Sequence, residues 1–578
     1  MTRHRTLRVF ALAGTTLVAA VAAPGIGART AQACGGLFCG GPPPDPFAPL
    51  PVAQSGENIV FALDKPGTGE TTVTAYIQIL YSGTASDFSW VLPIDAVPAI
   101  SVGTDRVFTQ VAQLTRPTYG ATTVIEGECK PDGRLSPTDI GAGGTGTGGS
   151  SAGGIDAGAP GVNVIFRGDV GPYDAAVLHS TTSADLLKWL ADNGFVVSDT
   201  AKSIIDEYVA LNKYFVAVKL LSGQETGAIQ PVVLKFAGEV PCVPLKLTAI
   251  AALADMPVNL YVLGASRAVP SNYFEITLNQ AKIDWFGGGQ NYAAMVTAAA
   301  NEAGGNAFIA EYAGTASVMA NALWPNPVIN LTPLRSATTP PAFLQLVIQQ
   351  GLLSYGPMLP LLRKYIPEPQ ELIDAGISES QFYNNNAIYW SQIPASFAPW
   401  DPVGITGEIQ TKIVDPLQAG QTLFDTHAYL TRLATFISPE EMTKDPEFVF
   451  NPDLPTLSNV HTATAHVMCG MKAFTYCEAP IRLDLPDGGV VWYRRSNCGA
   501  DVTPFSGLPS LATATLQAEA GAGQTVMDNR AKIDQAVNAN NESIQGGCGC
   551  SVAPGASGGV LVLLALAFVR RRRRKHTS

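Results

Sequence analysis

Residues 57–64 (ENIVFALD), 71–83 (TTVTAYIQILYSG) and 87–94 (DFSWVLPI) are rich in β-branched and aromatic side chains and are separated by Gly and Asp punctuation. Runs of this kind read as antiparallel strands. The next stretch changes period. In DRVFTQVAQLT (residues 105–115), Val107, Val111 and Leu114 recur at helical spacing and the pattern stops before Arg116-Pro117, so a helix is expected there. N-terminal to the strands, the Pro-rich GPPPDPFAPLP is a stiff spacer.

C-terminal to that helix, residues 131–161, including GAGGTGTGGSSAGGIDAGAPG, have the composition of a flexible linker. It is expected to split the globular part. SADLLKWLADNGF (183–195) then reads as a helix capped by Ser183, with Leu186, Leu187 and Leu190 as its buried stripe and Gly194 at its end. YFVAVKLL, QPVVLKFAG, CVPLKLTAI and PVNLYVLG read as strands. Residues 76–94 and 231–250 share a strand, a Gly turn and a second strand, which admits a duplicated β unit or two unrelated hairpins.

From Thr339 to Met442 the pattern turns helical, in FLQLVIQQGLL, PMLPLLRKYI and AYLTRLATF. Asp487-Gly488 then marks a two-residue hairpin between IRLDLP and VVWYRR, in spite of Pro480 and Pro486. That register sets Cys477 directly across from Cys498, at a non-hydrogen-bonded pair close enough to bridge. Cys34 and Cys39 are a second candidate pair, across a short Gly-Gly-Leu-Phe loop. The expected fold is α+β. Its antiparallel β-rich N-terminal region (34–130) is followed by the linker (131–161) and a mixed α/β middle (162–338). A more helical C-terminal part with a disulfide-linked hairpin (339–510) and a helical, polar spacer (511–547) complete the body.

The two ends carry addresses. Arg3, Arg5 and Arg8 precede an uncharged stretch, and Ala31-Gln32-Ala33 supplies the small residues of a cleavage site, so residues 1–33 read as a secretory signal peptide. Lipidation at Cys34 is the rival reading of that cut, but Leu is missing from the preceding pattern. At the other end, residues 548–578 run from Cys548-Gly549-Cys550 through a charge-free stretch, apolar from Val560 to Val569, into Arg570, Arg571, Arg572, Arg573 and Arg574. The apolar part is short for a bilayer span, and the Arg run would stay cytoplasmic. A plain single-span anchor, or a basic nucleic-acid tail, is the alternative reading, and export argues against the tail. Cysteines, apolar run and Arg cluster, in that order, resemble the Myxo-CTERM sorting signal of myxobacterial surface proteins. That resemblance implies a membrane-embedded sorting protease of the envelope as partner, a requirement for Cys548 or Cys550, an inner-membrane intermediate, and display at the outer cell surface.

Composition fits an exported body. Hydrophobic residues make up 46% and charged residues 14% of 578, enough apolar material for a large core. The formal charge is −11; the ten basic residues of the two ends mask a body near −21, which disfavours DNA and other nucleic acids as partners. Nine cysteines, less one used in anchoring, allow four disulfides in 105 connectivities.

Chemistry-bearing constellations are few. His461, His466, Cys469 and Cys477 offer imidazole and thiolate donors, the basis of a rival reading as a secreted metal-dependent enzyme using His461, His466 and Cys469, although their spacing matches no common zinc pattern. Asp445, Glu447, Asn451 and Asp453 offer oxygen ligands without the regular calcium loop. No nucleophile elbow, P-loop or His-Glu-x-x-His helix occurs. No catalytic residue and no cofactor are therefore assigned. Residues 432–463 (RLATFISPEEMTKDPEFVFNPDLPTLSNVHTA), with ACGGLFC (33–39), IQILYSG (77–83), FSWVLPI (88–94) and LLKWLADNGF (186–195), resemble the family known as domain of unknown function 2330. The resemblance runs from about Cys34 to about Ala500. It implies an exported bacterial protein of a family without established activity or catalytic residues, and a binding or structural role at the envelope.

Overall fold

The apolar runs of the N-terminal region alternate between two cores, which is why they are hydrophobic at nearly every position. In the computed structural model, strand β1 (Val52–Asp64) directs Ile59, Phe61 and Leu63 to one side and Val60 and Ala62 to the other. Both faces of the sheet are covered. The structure describes residues 52–64, 70–83, 88–130, 162–195, 199–221, 229–324, 329–389, 400–471, 474–496 and 498–545.

Along the chain, β1 is followed by β2 (Thr72–Gly83), β3 (Ser89–Ile94), β4 (Ala99–Val102), helix α1 (Arg106–Thr115) and β5 (Thr118–Ile125). After the Gly-rich stretch come β6 (Val162–Val170), β7 (Tyr173–Ser180), α2 (Ser183–Asp192), α3 (Asp199–Ala210), β8 (Tyr214–Leu220), β9 (Val232–Ala237), α4 (Leu245–Thr248) and β10 (Met256–Gly264). Next are β11 (Arg267–Pro270), β12 (Phe274–Leu278), α5 (Tyr292–Glu302), β13 (Ala307–Thr315) and a layer of helices from Leu331 to Asp425. The chain then returns to strands, with β14 (Tyr429–Ile437), β15 (Phe448–Asn451), β16 (Val460–Val467), β17 (Ile481–Asp484) and β18 (Val490–Tyr493). It closes with β19 (Arg495–Ser496), β20 (Gly499–Ala500), β21 (Leu511–Leu516), β22 (Gln524–Asp528) and a helix over Arg530–Gln545.

The centre of the molecule is a ten-stranded sheet in the order β22-β21-β12-β13-β14-β10-β1-β2-β9-β4. It is mixed, since β1–β10 and β12–β13 are parallel and the other pairs antiparallel. One face packs on the sheet β3-β8-β7-β6, where Ile59, Phe61, Trp90, Val216 and Leu260 share a core. The opposite face is covered in two halves. Helix α1 and the last long helix of the helical layer, Asp415–Asp425, cover β10, β1 and β2, whereas α5 and the sheet β18-β17-β16-β5 cover β12, β13 and β21.

Several elements depart from expectation. AYLTRLATF is not helical: it forms β14, hydrogen-bonded between β10 and β13. Its Leu430 and Leu433 lie at helical spacing, but they enter the cores on opposite faces of the sheet, and a strand buried on both sides shows no diagnostic period. CVPLKLTAI is a short helical turn rather than a strand, with Pro244 at its start. The alternation Leu245-Lys246-Leu247 only imitates a strand. The duplicated hairpin falls with it, because β2 and β3 also lie in different sheets. In α2 the cap is Thr182, whose hydroxyl accepts from the Asp185 amide, and Trp189 replaces Leu187 among the buried residues.

The Gly-rich residues 131–161 lie outside the described residues, yet the strands on their two sides share sheets: β1 and β2 pair with β10 and β9, and β3 pairs with β8. Residues 511–545, expected as a spacer, contribute β21 and β22 to the central sheet, and their helix caps β18 through Asn541, which accepts from the Trp492 amide at 2.8 Å. Among the described residues no helix is long and apolar enough to cross a membrane.

The hairpin β17–β18 forms in a different register. Asp484 faces Val490, and the Leu485 amide donates to the Gly489 carbonyl, leaving a three-residue loop with Gly488 at φ +88°. The extra loop residue shifts each pairing by one, so Cys477 and Cys498 are not ladder partners. They are nonetheless joined, with Cα atoms 4.1 Å apart, because Cys498 sits at φ +68° in the tight β19–β20 turn beyond the ladder. A second disulfide joins Cys129, beyond β5, to Cys469, beyond β16. Cys242 is a free thiol, which removes one member from a four-disulfide scheme. Cys34 and Cys39 lie outside the described residues, as do the signal segment, Cys548, Cys550 and Arg570–Arg574.

Candidate functional site

Each of the strands β1, β2, β10, β13 and β14 carries a polar residue in or beside its apolar run, and the register brings these residues into line. Asn58 on β1 faces Gln78 on β2 and Asn259 on β10. The line starts at Arg432 on β14, whose Nη2 donates to Asn259 Oδ1 (3.5 Å). Asn259 donates to Asn58 (3.0 Å), Asn58 to Gln78 (2.8 Å), and Gln78 to Asp105 Oδ1 (2.8 Å) at the start of α1. All these bonds point one way. A guanidinium, which only donates, begins the chain and a carboxylate, which only accepts, ends it, so every intervening amide has a single consistent orientation.

At its origin Arg432 is ion-paired with Glu311 of β13, both side chains being over nine-tenths buried. Its Nη1 also donates to the Ala112 carbonyl of α1 (3.2 Å), and the guanidinium lies over the Tyr261 ring. Tyr292 of α5 donates its hydroxyl to Glu311 Oε1 (2.7 Å), and burial together with the Glu311 charge holds that phenol well above its ordinary pKa. Tyr119 of β5 packs against Tyr292 and Trp285 and stacks on His461, ring centroids 4.8 Å apart.

At its far end the line opens on a cleft of about 210 Å³ between α1 and the helical layer. Thr104, Asp105, Arg106 and Gln230 line one side, Tyr355 and Lys412 the other. Lys412 and Ile413 come from a π-helical turn, Gln410–Val414, inserted between two α-helices. Such one-turn widenings recur at functional sites.

The metal candidates do not converge. Cys469 is bonded to Cys129, so its sulfur is not a thiolate. His461 and His466 are five residues apart on one strand, which puts them on opposite faces and about 16 Å apart. His461 stacks on Tyr119, and burial pushes its imidazole below the ordinary value. His466 is held by Glu126 (2.8 Å) and Asp484 (3.4 Å). Among the described residues no three His, Cys, Asp or Glu side chains are grouped to hold a metal ion. Three of the four calcium candidates are likewise bound into the fold: Asp445 accepts from Tyr208 (2.6 Å) and the Lys246 amide (2.9 Å), Asn451 donates to Ala518 and Gly521, and Asp453 accepts from the Gly521 amide.

The bacterial family described as "Uncharacterized protein conserved in bacteria (DUF2330)" matches residues 31–449, well over half of the chain. The chain belongs to the DUF2330 family. The match ends earlier than residue 500, yet the rest is integral to the fold, since β16 pairs with β5 and β21 with β12, partners inside the DUF2330 region. No curated protein and no solved structure matches the chain.

The line of amides and the cleft escaped the sequence reading. A signal was present: Gln78, Asn259, Glu311 and Arg432 each interrupt a strand-length apolar run, and Asn58 stands at the head of one. Interruptions of that kind read as noise until register shows that they coincide.

Proposed function

We propose that this DUF2330 protein is an exported, surface-displayed protein of the cell envelope with a binding or structural role. The observation that supports export best is the pair of disulfides, above all Cys129–Cys469, which ties positions 340 residues apart. Such bonds persist in oxidising compartments. They agree with the N-terminal signal segment and with the C-terminal array of Cys548, Cys550, apolar run and Arg570–Arg574. In this reading the short apolar segment holds the chain in the inner membrane, a sorting protease of the envelope processes it at Cys548 or Cys550, and the acidic body is displayed outside, away from nucleic acid.

A non-catalytic role is supported by where the strong polar groups go. Arg432, Glu311, His466 and Asp445 are each engaged by neighbouring side chains of the fold. The metal-enzyme alternative loses its sulfur ligand to the disulfide. The test is mass spectrometry of the protein from envelope fractions of its own cells, with and without reduction. Loss of the Arg-rich tail with a modified Cys548 or Cys550 is expected. A chain ending at Ser578 with reduced Cys129 and Cys469 would overturn the reading.

A further inference from the structure

We infer that the cleft between α1 and the helical layer is a binding site for a small carboxylate that also carries a hydrogen-bond donor, such as an α-amino or α-hydroxy acid. The inference deepens the binding role proposed above and rests on it. At about 210 Å³ the cleft has room for a small organic acid.

Charge selects the class. Arg106 projects into this cleft with its guanidinium over the Tyr355 ring, 5.7 Å from the centroid. Among the described residues its enclosed Nε has no hydrogen-bond acceptor. A planar fork of donors backed by an aromatic ring fits the two oxygens of a carboxylate. Lys412 reaches the cleft from the opposite wall, already paired with Glu408 (2.7 Å), and adds positive potential without a second fork.

Asp105 sets the second requirement. One of its oxygens, Oδ1, accepts from Gln78, and the residue is exposed to the cleft. A second negative group on the ligand would be repelled there, whereas an ammonium or hydroxyl finds an acceptor. The line of amides behind Asp105 fixes that carboxylate against the sheet, so the acceptor is oriented before any ligand arrives.

The test is isothermal titration calorimetry on the mature, disulfide-intact protein with glycine, L-lactate, acetate, methylammonium and inorganic phosphate. Glycine or lactate is expected to bind saturably at one site, acetate at least several-fold more weakly, and methylammonium not at all. Arg106→Gln is expected to weaken binding at least tenfold with an unchanged thermal melt, and Arg106→Lys to recover part of it. Lys412→Met, remote from the central sheet, gives a second readout, expected at about threefold. No saturable heat with any carboxylate, unchanged affinity in folded Arg106→Gln, or phosphate binding as tightly as glycine would overturn the inference. A null titration leaves the envelope address standing, since mass spectrometry tests that separately.

Discussion

Glu311 in the central sheet and Glu408 in the helical layer are both carboxylates held by cations and a tyrosine, in opposite surroundings. Glu311 is 3% exposed and Arg432 9%, with Tyr292 completing the group. Glu408 is 21% exposed and gathers Lys364, Lys412 and Tyr365, the two lysines being 60% and 49% exposed. Partial burial raises the Glu408 pKa, but hydrogen bonds from Lys364, Lys412 and Tyr365 outweigh it and leave the carboxyl at about 2. The sets of contacts are alike; the consequence of breaking them is not. Where water can replace a lost partner the change is small, and where it cannot, the remaining charge is stranded.

The largest effect is expected at the buried pair. Arg432→Met leaves Glu311 charged and unpaired and should destabilise by roughly 3–5 kcal/mol in urea unfolding, with Arg432→Met/Glu311→Gln recovering a substantial part. An Arg432→Met midpoint equal to that of Glu408→Gln would break the comparison.

Next come the crosslinks. Cys129–Cys469 closes 340 residues and Cys477–Cys498 only 21. Unfolded-chain entropy assigns roughly 2–4 kcal/mol to a typical disulfide, more for the longer loop. Cys129→Ser/Cys469→Ser should therefore lower the urea midpoint more than Cys477→Ser/Cys498→Ser; the reverse order would show that local geometry at the β19–β20 turn dominates.

A third carboxylate sharpens the contrast. Glu57, 2% exposed on β1, meets no cation among the described residues; the Gln54 amide donates to it, at 3.2 Å, and burial carries its carboxyl from 4.5 up to about 7. The folded protein keeps a proton there that the unfolded chain releases between about pH 4.5 and 7. This residue's contribution is thus most favourable below 4.5, declines as pH rises through 7, and is level above. Glu57→Gln should flatten that slope and stabilise by roughly 2–3 kcal/mol at pH 8, read from urea midpoints across pH. An unchanged slope would mean that the folded-state carboxyl titrates normally. The smallest effect belongs to the half-exposed cluster, where Glu408→Gln should cost less than about 1 kcal/mol in the same assay.

Much of the fold was legible locally. The runs at 57–64, 71–83 and 88–94 form strands because β-branched and aromatic residues dominate them, and α1 and α2 form where apolar residues recur at helical spacing. Cys477 and Cys498 were matched by sequence separation around the Asp487-Gly488 turn, even though the loop proved one residue longer. β14 misled for a physical reason: buried on both faces, it loses the alternation that marks a half-buried strand. Cys129 and Cys469, 340 residues apart, meet only because β5 and β16 pair in parallel.

The sequence by itself determined that runs such as 57–64 and 71–83 extend, that 106–115 and 183–192 coil into helices, and that the chain holds enough apolar residues for a large core. Those properties depend on neighbours within a few turns of chain. The tertiary structure alone decided that Asn58, Gln78, Asn259 and Arg432 form one polarised line, that Cys469 is a crosslink rather than a ligand, and that Arg106 faces Tyr355 across a cleft. Strand register and helix packing set those distances, and both are fixed by contacts between residues far apart in the chain.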